Sequence, residues 1–328
     1  MSNISVIGAG AWGTTLAILA AENGHSVTIW SFEEDVAKNI NELRENKKYL
    51  KGFQLPSGID ATNDIIKAAA NEVLIIATPS QYLRKTLKSM AKHVKKDAVI
   101  ISAVKGIEIE TQKRMSEVIF EEFHCENFAV ISGPNISKEV AKGLPAAAVS
   151  ASKNINTAKF VQKILNNGRF RVYVNTDVTG VELGGALKNI IAIAAGVADG
   201  LMFGNNAKSA LMVRGMAEII RLGTAMGGKA ETFNGLSGIG DLITTCSSTL
   251  SRNHHVGMEI AQGKHFNDIL TKMYDVAEGV PTSKAAREIS RKLKIEMPIT
   301  EEVYAVIYED KDPFKAFSSL MQREMKEE

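Results

Sequence analysis

Lys188 is the one cation in VELGGALKNIIAIAAGVADG (181–200), a run dominated by glycine, alanine, isoleucine and valine. Desolvation disfavours a charged ammonium. A lysine held in such a run is therefore either an amine whose pKa has dropped toward neutrality or a stem that snorkels out of a packed helix. Three other stretches carry matching chemistry. Lys105 in AVKGIE would add positive charge and lower the pKa of a lysine brought beside it. Asp241 in GIGDL offers a carboxylate, with Thr245 four residues on and on the same face if that segment is helical. Ser251-Arg252-Asn253 joins a guanidinium, able to grip a phosphate through two hydrogen bonds, to a hydroxyl and an amide. Each has a plainer alternative: a solvated loop lysine, a helix N-cap, a solvated serine-rich loop. His254 and His255 read as packing or surface residues, because nothing beside them suggests a metal or a triad.

The elements that must position these groups fall into two kinds. In the first half, β-branched runs (ISVIG, SVTIW, EVLIIAT, DAVIISAVKG, FAVISGP, AAAVSA, FRVYVN) alternate with helical patterns starting near Trp12, Glu33, Pro79, Thr111, Asn135 and Ile155. That alternation predicts right-handed βαβ units and a largely parallel sheet covered on both faces. After Asp177 the β-branched runs stop, and segments such as AKSALMVRGMAEIIRLGTAM carry apolar residues at helical spacing. The expected fold is an α/β Rossmann-like doubly wound domain over residues 1–177, followed by an all-α domain over residues 178–328. Lys105 then follows the predicted fourth strand, at the edge where such sheets bind ligands.

Gly8-Ala9-Gly10-Ala11-Trp12-Gly13 is a G-x-G-x-x-G that leaves the first predicted strand and opens the first helix. The first glycine permits the tight turn, the second lets the backbone approach a pyrophosphate, and the third permits close helix-to-strand packing. The pattern predicts dinucleotide binding. At the end of the second strand stands Trp30-Ser31-Phe32-Glu33-Glu34-Asp35, with acids and no Arg or Lys within the stretch to grip a 2′-phosphate. The cofactor is thus NAD or NADP, leaning to NAD, although acids also suit a helix first turn.

Bulk properties narrow the partners. A net charge of +2 gives no global case for nucleic acid or a membrane surface, and Cys125 and Cys246 show no metal-like spacing, so no metal is expected. The uncharged apolar stretch Ile190 to Ala198 is too short to span a membrane, which takes about 20 residues. MSNISVIGAG enters a strand pattern without a basic leader, so secretion is not expected, and the two free thiols fit a reducing cytoplasm. A homodimer is expected because two-fold assemblies are the commonest.

AVKGIE (103–108), SGPNISKEVAKGLP (132–145), ELGGALKNIIAIAAG (182–196), GLSGIGDLITTCSSTLSRN (235–253), AEGVPTS (277–283) and MPITEEVYAVIY (297–308) complete the pattern. With the glycine loop, and in this order, they resemble NAD(P)-dependent glycerol-3-phosphate dehydrogenase along the whole chain. The resemblance implies interconversion of sn-glycerol 3-phosphate and dihydroxyacetone phosphate, feeding glycerophospholipid synthesis. It implies Lys188 as proton acceptor, with Lys105 and Asp241 also catalytic. Substrate would meet Lys105, Gly133, Asn135, Asn189, Asp241, Thr245, Ser251, Arg252 and Asn253. Cofactor would meet Gly8, Gly10, Ala11, Trp12, Gly13, Phe32, Tyr82, Lys105, Ser137, Arg252, Val276 and Glu278. Many bacterial relatives carry a basic residue or histidine at Phe32, serine at Ala11, and Thr or Ser at Asn135; WSFEED and NISKEVA are closer to the eukaryotic NAD-linked branch. Two alternatives remain. A 3-hydroxyacid or 6-phosphogluconate type dehydrogenase would want asparagine four residues after the lysine, where this chain has Ala192. A dinucleotide sensor without catalysis would not need Lys188, Asp241 and Arg252 together.

Overall fold

The computed structural model describes residues 1–272, 276–325 and 327. Eight strands, β1 (Asn3–Ile7), β2 (Ser26–Trp30), β3 (Ile59–Thr62), β4 (Val73–Ile76), β5 (Val99–Ser102), β6 (Phe128–Ser132), β7 (Ala146–Ala151) and β8 (Phe170–Asn175), form one sheet in the order β3-β2-β1-β4-β5-β6-β7-β8. Helices α1 (Ala11–Glu22), α2 (Glu34–Leu43), α3 (Ile65–Ala69), α4 (Leu83–Met90), α5 (Met115–Glu122), α6 (Ser137–Ala141) and α7 (Ile155–Leu165) lie between the strands. Side chains alternate across the pleat. Ile4, Val6, Ile75 and Ile101 enter one apolar layer, while Ile7, Leu74, Ile76 and Ile100 enter the other.

Two sequence expectations need correction. The sheet has an edge strand, β3, that composition does not announce: in IDAT only Ile59 is buried, and polar residues on a sheet edge discourage further pairing. Lys105 therefore follows the fifth strand. The sheet is largely parallel, as expected; the one exception is β7, which runs antiparallel to β6 and carries β8 with it as a parallel partner. Finally, Pro79 leads first into a 3₁₀ turn at Ser80–Tyr82, and the helices expected near Thr111 and Asn135 start at Met115 and Ser137.

Beyond β8 the described residues are helical: α8 (Val178–Gly200), α9 (Gly204–Ala225), α10 (Ala230–Phe233), α11 (Asp241–Ser247), α12 (Arg252–Ala261), α13 (Phe266–Lys272), α14 (Gly279–Leu293), α15 (Pro298–Tyr308) and α16 (Pro313–Met321). Asp177 caps α8 by accepting from Gly180 N at 2.9 Å, and its second oxygen accepts from Lys229 N at 2.8 Å. Glu182, buried in the first turns of α8, accepts from Ser116 N at 2.7 Å and pairs with Arg114 at 2.5 Å, which fixes α8 to the start of α5. Burial pushes the Glu182 carboxyl pKa up, against those partners.

By length and apolar composition α8 could cross a membrane, but 89% of its most apolar window is buried among the other elements. It is the axis of the helical half, and its apolar character serves packing on all sides. Its crossing with α12 depends on two glycines: a Cβ on Gly196 would lie 2.0 Å from the carbonyl oxygen of His254, and one on Gly257 would lie 2.0 Å from that of Ile193. Gly257→Ala is therefore expected to lower stability by about 1–3 kcal/mol through overpacking, read by denaturant unfolding; an unchanged midpoint would mean that the crossing is looser than this.

Candidate active site

The glycine loop has the shape its sequence suggests. Gly8 adopts φ +123°, and a Cβ there would sit 2.7 Å from the Ala77 carbonyl oxygen; a Cβ on Gly13 would strike Gly8 O at 2.1 Å, so α1 lies directly on the loop. Gly10, the N-cap of α1, faces open space and brings no side chain to the helix's first N–H groups. Those donors and the positive end of the helix dipole suit an anion. Trp12 Nε1 is a buried donor with no partner among the described residues, a second place for an acceptor beside the loop. The loop thus fits a dinucleotide pyrophosphate. Its walls are set by Asn46, wholly buried, which donates to Ala9 O at 2.7 Å and Thr14 Oγ1 at 2.8 Å.

Lys188 does not snorkel. It is 6% exposed, and its Nζ donates to Thr245 Oγ1 at 2.5 Å and lies 3.0 Å from Asp241 Oδ1. Thr245 Oγ1 in turn donates a hydrogen bond to the Asp241 carbonyl oxygen at 2.7 Å, as the same-face spacing on α11 allows. Lys105 Nζ meets the other carboxylate oxygen, Asp241 Oδ2, at 2.6 Å and also donates to Gly133 O at 3.0 Å. One buried carboxylate is therefore shared by two lysines from opposite halves of the chain. Burial lowers the Lys188 pKa to about 8, with the nearby charge of Lys105 acting in the same direction and Asp241 opposing.

The glycines of LGGALK let neighbouring elements pack closely against α8. A Cβ on Gly184 would lie 2.6 Å from Ser237 O, and one on Gly185 would lie 2.5 Å from Ser132 Oγ and 3.6 Å from the stem of Lys105. Gly184 thus lets the π-helical turn Leu236–Gly240 press against α8, which delivers Asp241 to Lys188. The helix N-cap is Gly240, so Asp241 is not the cap; it is the first residue of α11, and its carboxylate is committed to the lysines.

At the far end of the cluster Asn189 Oδ1 accepts from Asn253 Nδ2 at 2.9 Å, and Asn253 Oδ1 accepts from Gly279 N at 2.8 Å. Ser251 caps α12 through His254 N at 3.3 Å, leaving Arg252 at the helix start with Nη1 at 3.5 Å from Val276 O. His254 is buried against Asp199 at 2.7 Å and His255 is exposed. Gly133, with φ +154°, ends β6, and a Cβ would lie 2.8 Å from Ala147 O. Asn135 donates to that same carbonyl at 2.9 Å, and its buried Oδ1 has no partner among the described residues. Ser137 opens α6 and receives Thr15 Oγ1 on its carbonyl at 3.2 Å. Ala11 is buried at the start of α1; Phe32, Tyr82 and Val276 are exposed at 84%, 62% and 38%.

Sequence reasoning missed two features. Glu278, half-buried, accepts from Ser80 N at 2.8 Å and from Ser80 Oγ, so it joins the helical half to the turn after β4; desolvation raises its carboxyl pKa, opposed by those bonds and by Arg252. The stretch after β2 also does not lack a cation: Lys48, from outside it, meets Glu33 Oε1 at 2.5 Å. No local signal marks either pairing, since the partners are 198 and 15 residues apart.

A Rossmann sheet with an open glycine loop, facing a buried lysine and carboxylate cluster on a helical second half, defines a nicotinamide-dinucleotide dehydrogenase. The family described as NAD-dependent glycerol-3-phosphate dehydrogenase matches through its N-terminal part at residues 3–158 and its C-terminal part at residues 177–318. The chain belongs to that family. It is 46% identical over 99% of both chains to the glycerol-3-phosphate dehydrogenase [NAD(P)+] of Syntrophotalea carbinolica, and 48% identical, covering 99% of each, to that of Solidesulfovibrio magneticus. The crystal structure of glycerol-3-phosphate dehydrogenase from Coxiella burnetii superposes with a TM-score of 0.95 at 36% identity, covering 98% of this chain and 99% of the other.

Proposed function

We propose that this protein interconverts sn-glycerol 3-phosphate and dihydroxyacetone phosphate with NAD or NADP, Lys188 exchanging the hydroxyl proton. The observation that carries this reading is the desolvated Lys188 amine, 3.0 Å from a carboxylate that Lys105 shares, at the carboxyl edge of the sheet. The nicotinamide, when bound, takes a hydride from the alcohol carbon or returns it to the ketone. Neutral Lys188 accepts the hydroxyl proton during oxidation; its ammonium returns that proton to the nascent alkoxide during reduction. With a pKa of about 8 the amine holds both forms near neutral pH, which a solvated lysine does not. Lys105 adds positive charge where negative charge develops, and Asp241 holds the two cations in register. Arg252, with Ser251 and Asn253 beside it, supports the phosphate, and Gly133, Asn135 and Asn189 the glycerol moiety.

In this reading residues 1–177 carry the dinucleotide and residues 178–328 complete the substrate side. Gly8, Gly10, Ala11, Trp12 and Gly13 hold the pyrophosphate; Phe32, Tyr82, Ser137, Val276 and Glu278 contact the rest. The enzyme acts in the cytoplasm as a homodimer and supplies the glycerol backbone of phospholipids. Light scattering tests the dimer, which would show twice the chain mass. The reaction is tested by adding dihydroxyacetone phosphate and following loss of reduced-nicotinamide absorbance with NADH and, separately, NADPH. Consumption is expected with substrate present. Coenzyme binding without turnover would instead support a non-catalytic sensor.

A further inference from the structure

In Rossmann folds a carboxylate at the end of β2 receives the ribose diol of NAD, whereas a cation there receives the 2′-phosphate of NADP. This chain has both groups, bound to one another. Glu33 stands at the start of α2, three residues past β2, with its N–H donated to Ser31 Oγ at 3.2 Å. Lys48 Nζ donates to Glu33 Oε1 at 2.5 Å and the Tyr49 hydroxyl donates to Oε2 at 2.7 Å. The segment carrying Lys48 and Tyr49 is fastened to the glycine loop, because Asn46 bonds Ala9 O while its Oδ1 accepts from Tyr49 N at 3.2 Å. Strand β2 is fastened there too, through Gly8 N to Trp30 O at 3.0 Å. The pair therefore lies on the ribose side of the loop.

Both partners are open to solvent, with Lys48 32% and Glu33 30% exposed, so the pair is of the weakly held kind that a competing anion can open. Burial raises the Glu33 carboxyl pKa, but the bonds from Lys48 and Tyr49 prevail and leave it below the usual range; the bond to Glu33 correspondingly raises Lys48. Across neutral pH it is a carboxylate facing an ammonium, so each coenzyme finds a complementary group.

We infer that Glu33 and Lys48 form an exchangeable clasp that sets the choice between NAD and NADP, an inference that rests on the dinucleotide reading above. With NAD, Glu33 stays on Lys48 and Tyr49, and its remaining lone pairs accept the ribose hydroxyl. With NADP, the 2′-phosphate displaces the Glu33 carboxylate and takes Lys48 in its place. The carboxylate is an internal competitor for the cation, and the chain accepts both coenzymes because neither charge is unopposed.

Two ligands that differ only by the 2′-phosphate isolate this exchange: 5′-AMP and adenosine 2′,5′-bisphosphate, titrated calorimetrically into the full chain. Lys48→Ala is expected to weaken adenosine 2′,5′-bisphosphate by about tenfold, the worth of one charge-assisted hydrogen bond, and to leave 5′-AMP within about twofold. Glu33→Gln is expected to act oppositely, tightening the bisphosphate several-fold while weakening 5′-AMP. NADH and NADPH kinetics should move in the same two directions. Changes that are equal for the two ligands, or absent, would overturn the clasp while leaving dinucleotide binding intact. A wild-type chain that binds neither ligand nor either coenzyme would overturn the dinucleotide reading and the clasp with it.

Discussion

Lys188→Ala is expected to lower kcat for dihydroxyacetone phosphate reduction by about 10²–10⁴-fold, the range that a positioned acid or base contributes. Coenzyme affinity should be nearly unchanged, because Lys188 contacts Thr245 and Asp241 and lies on the helical side of the cluster. The variant is not expected to unfold, since Asp241 would retain Lys105 at 2.6 Å and would not become an unpaired buried carboxylate. Lys188→Met, which keeps most of the stem volume, separates loss of the amine from loss of packing. Steady-state kinetics in both directions, with coenzyme binding followed by fluorescence, read the result. If kcat survives in the methionine variant, Lys188 is a structural cation and the proton must travel another way.

The same comparison marks what local sequence can carry. Lys188, Asp241 and Thr245 stand out one by one, and the four-residue spacing of the last two on α11 puts them on a common face. The glycine loop is legible for a similar reason: its turn, its open face and its helix contact all arise within six residues. What was not legible depends on distance along the chain. Lys105 and Asp241 are 136 residues apart, and nothing near either announces that one carboxylate will serve two lysines. Nor does the glycine pair before Lys188 announce its contacts, which are Ser237, Ser132 and the Lys105 stem. Strand β3 was hidden by its polar edge, and the reversal of β7 by the fact that AAAVSA reads identically in either direction of pairing. In the ribose region, reading only Trp30 to Asp35 left out Lys48, which arrives through the bend held by Asn46.

Asp241→Asn is expected to shift the pH dependence of both reaction directions to lower pH, and the sign follows from which charges face Lys188. Burial lowers the amine's pKa to about 8, Lys105 pushes it the same way, and the Asp241 carboxylate works against them. Removing that negative charge while keeping the side chain's shape removes the main opposing influence, so the Lys188 pKa falls further. Oxidation of the alcohol needs the neutral amine, so its kcat/KM rises with pH through the Lys188 pKa; in the variant that rise moves below pH 8. Reduction needs the ammonium, so its rate falls as pH rises through the same value, and the fall also moves down. At pH 7 the variant therefore loses more in reduction than in oxidation. Misplacement of Lys105, deprived of its 2.6 Å partner, adds a loss common to both directions, bringing the total for reduction to about 10²-fold or more. Profiles of kcat/KM measured in both directions for wild type and variant separate the two effects, because lost positioning lowers a profile without moving its limb. A limb that stays fixed while the whole curve drops would mean that Asp241 only positions the lysines and does not tune the proton exchange.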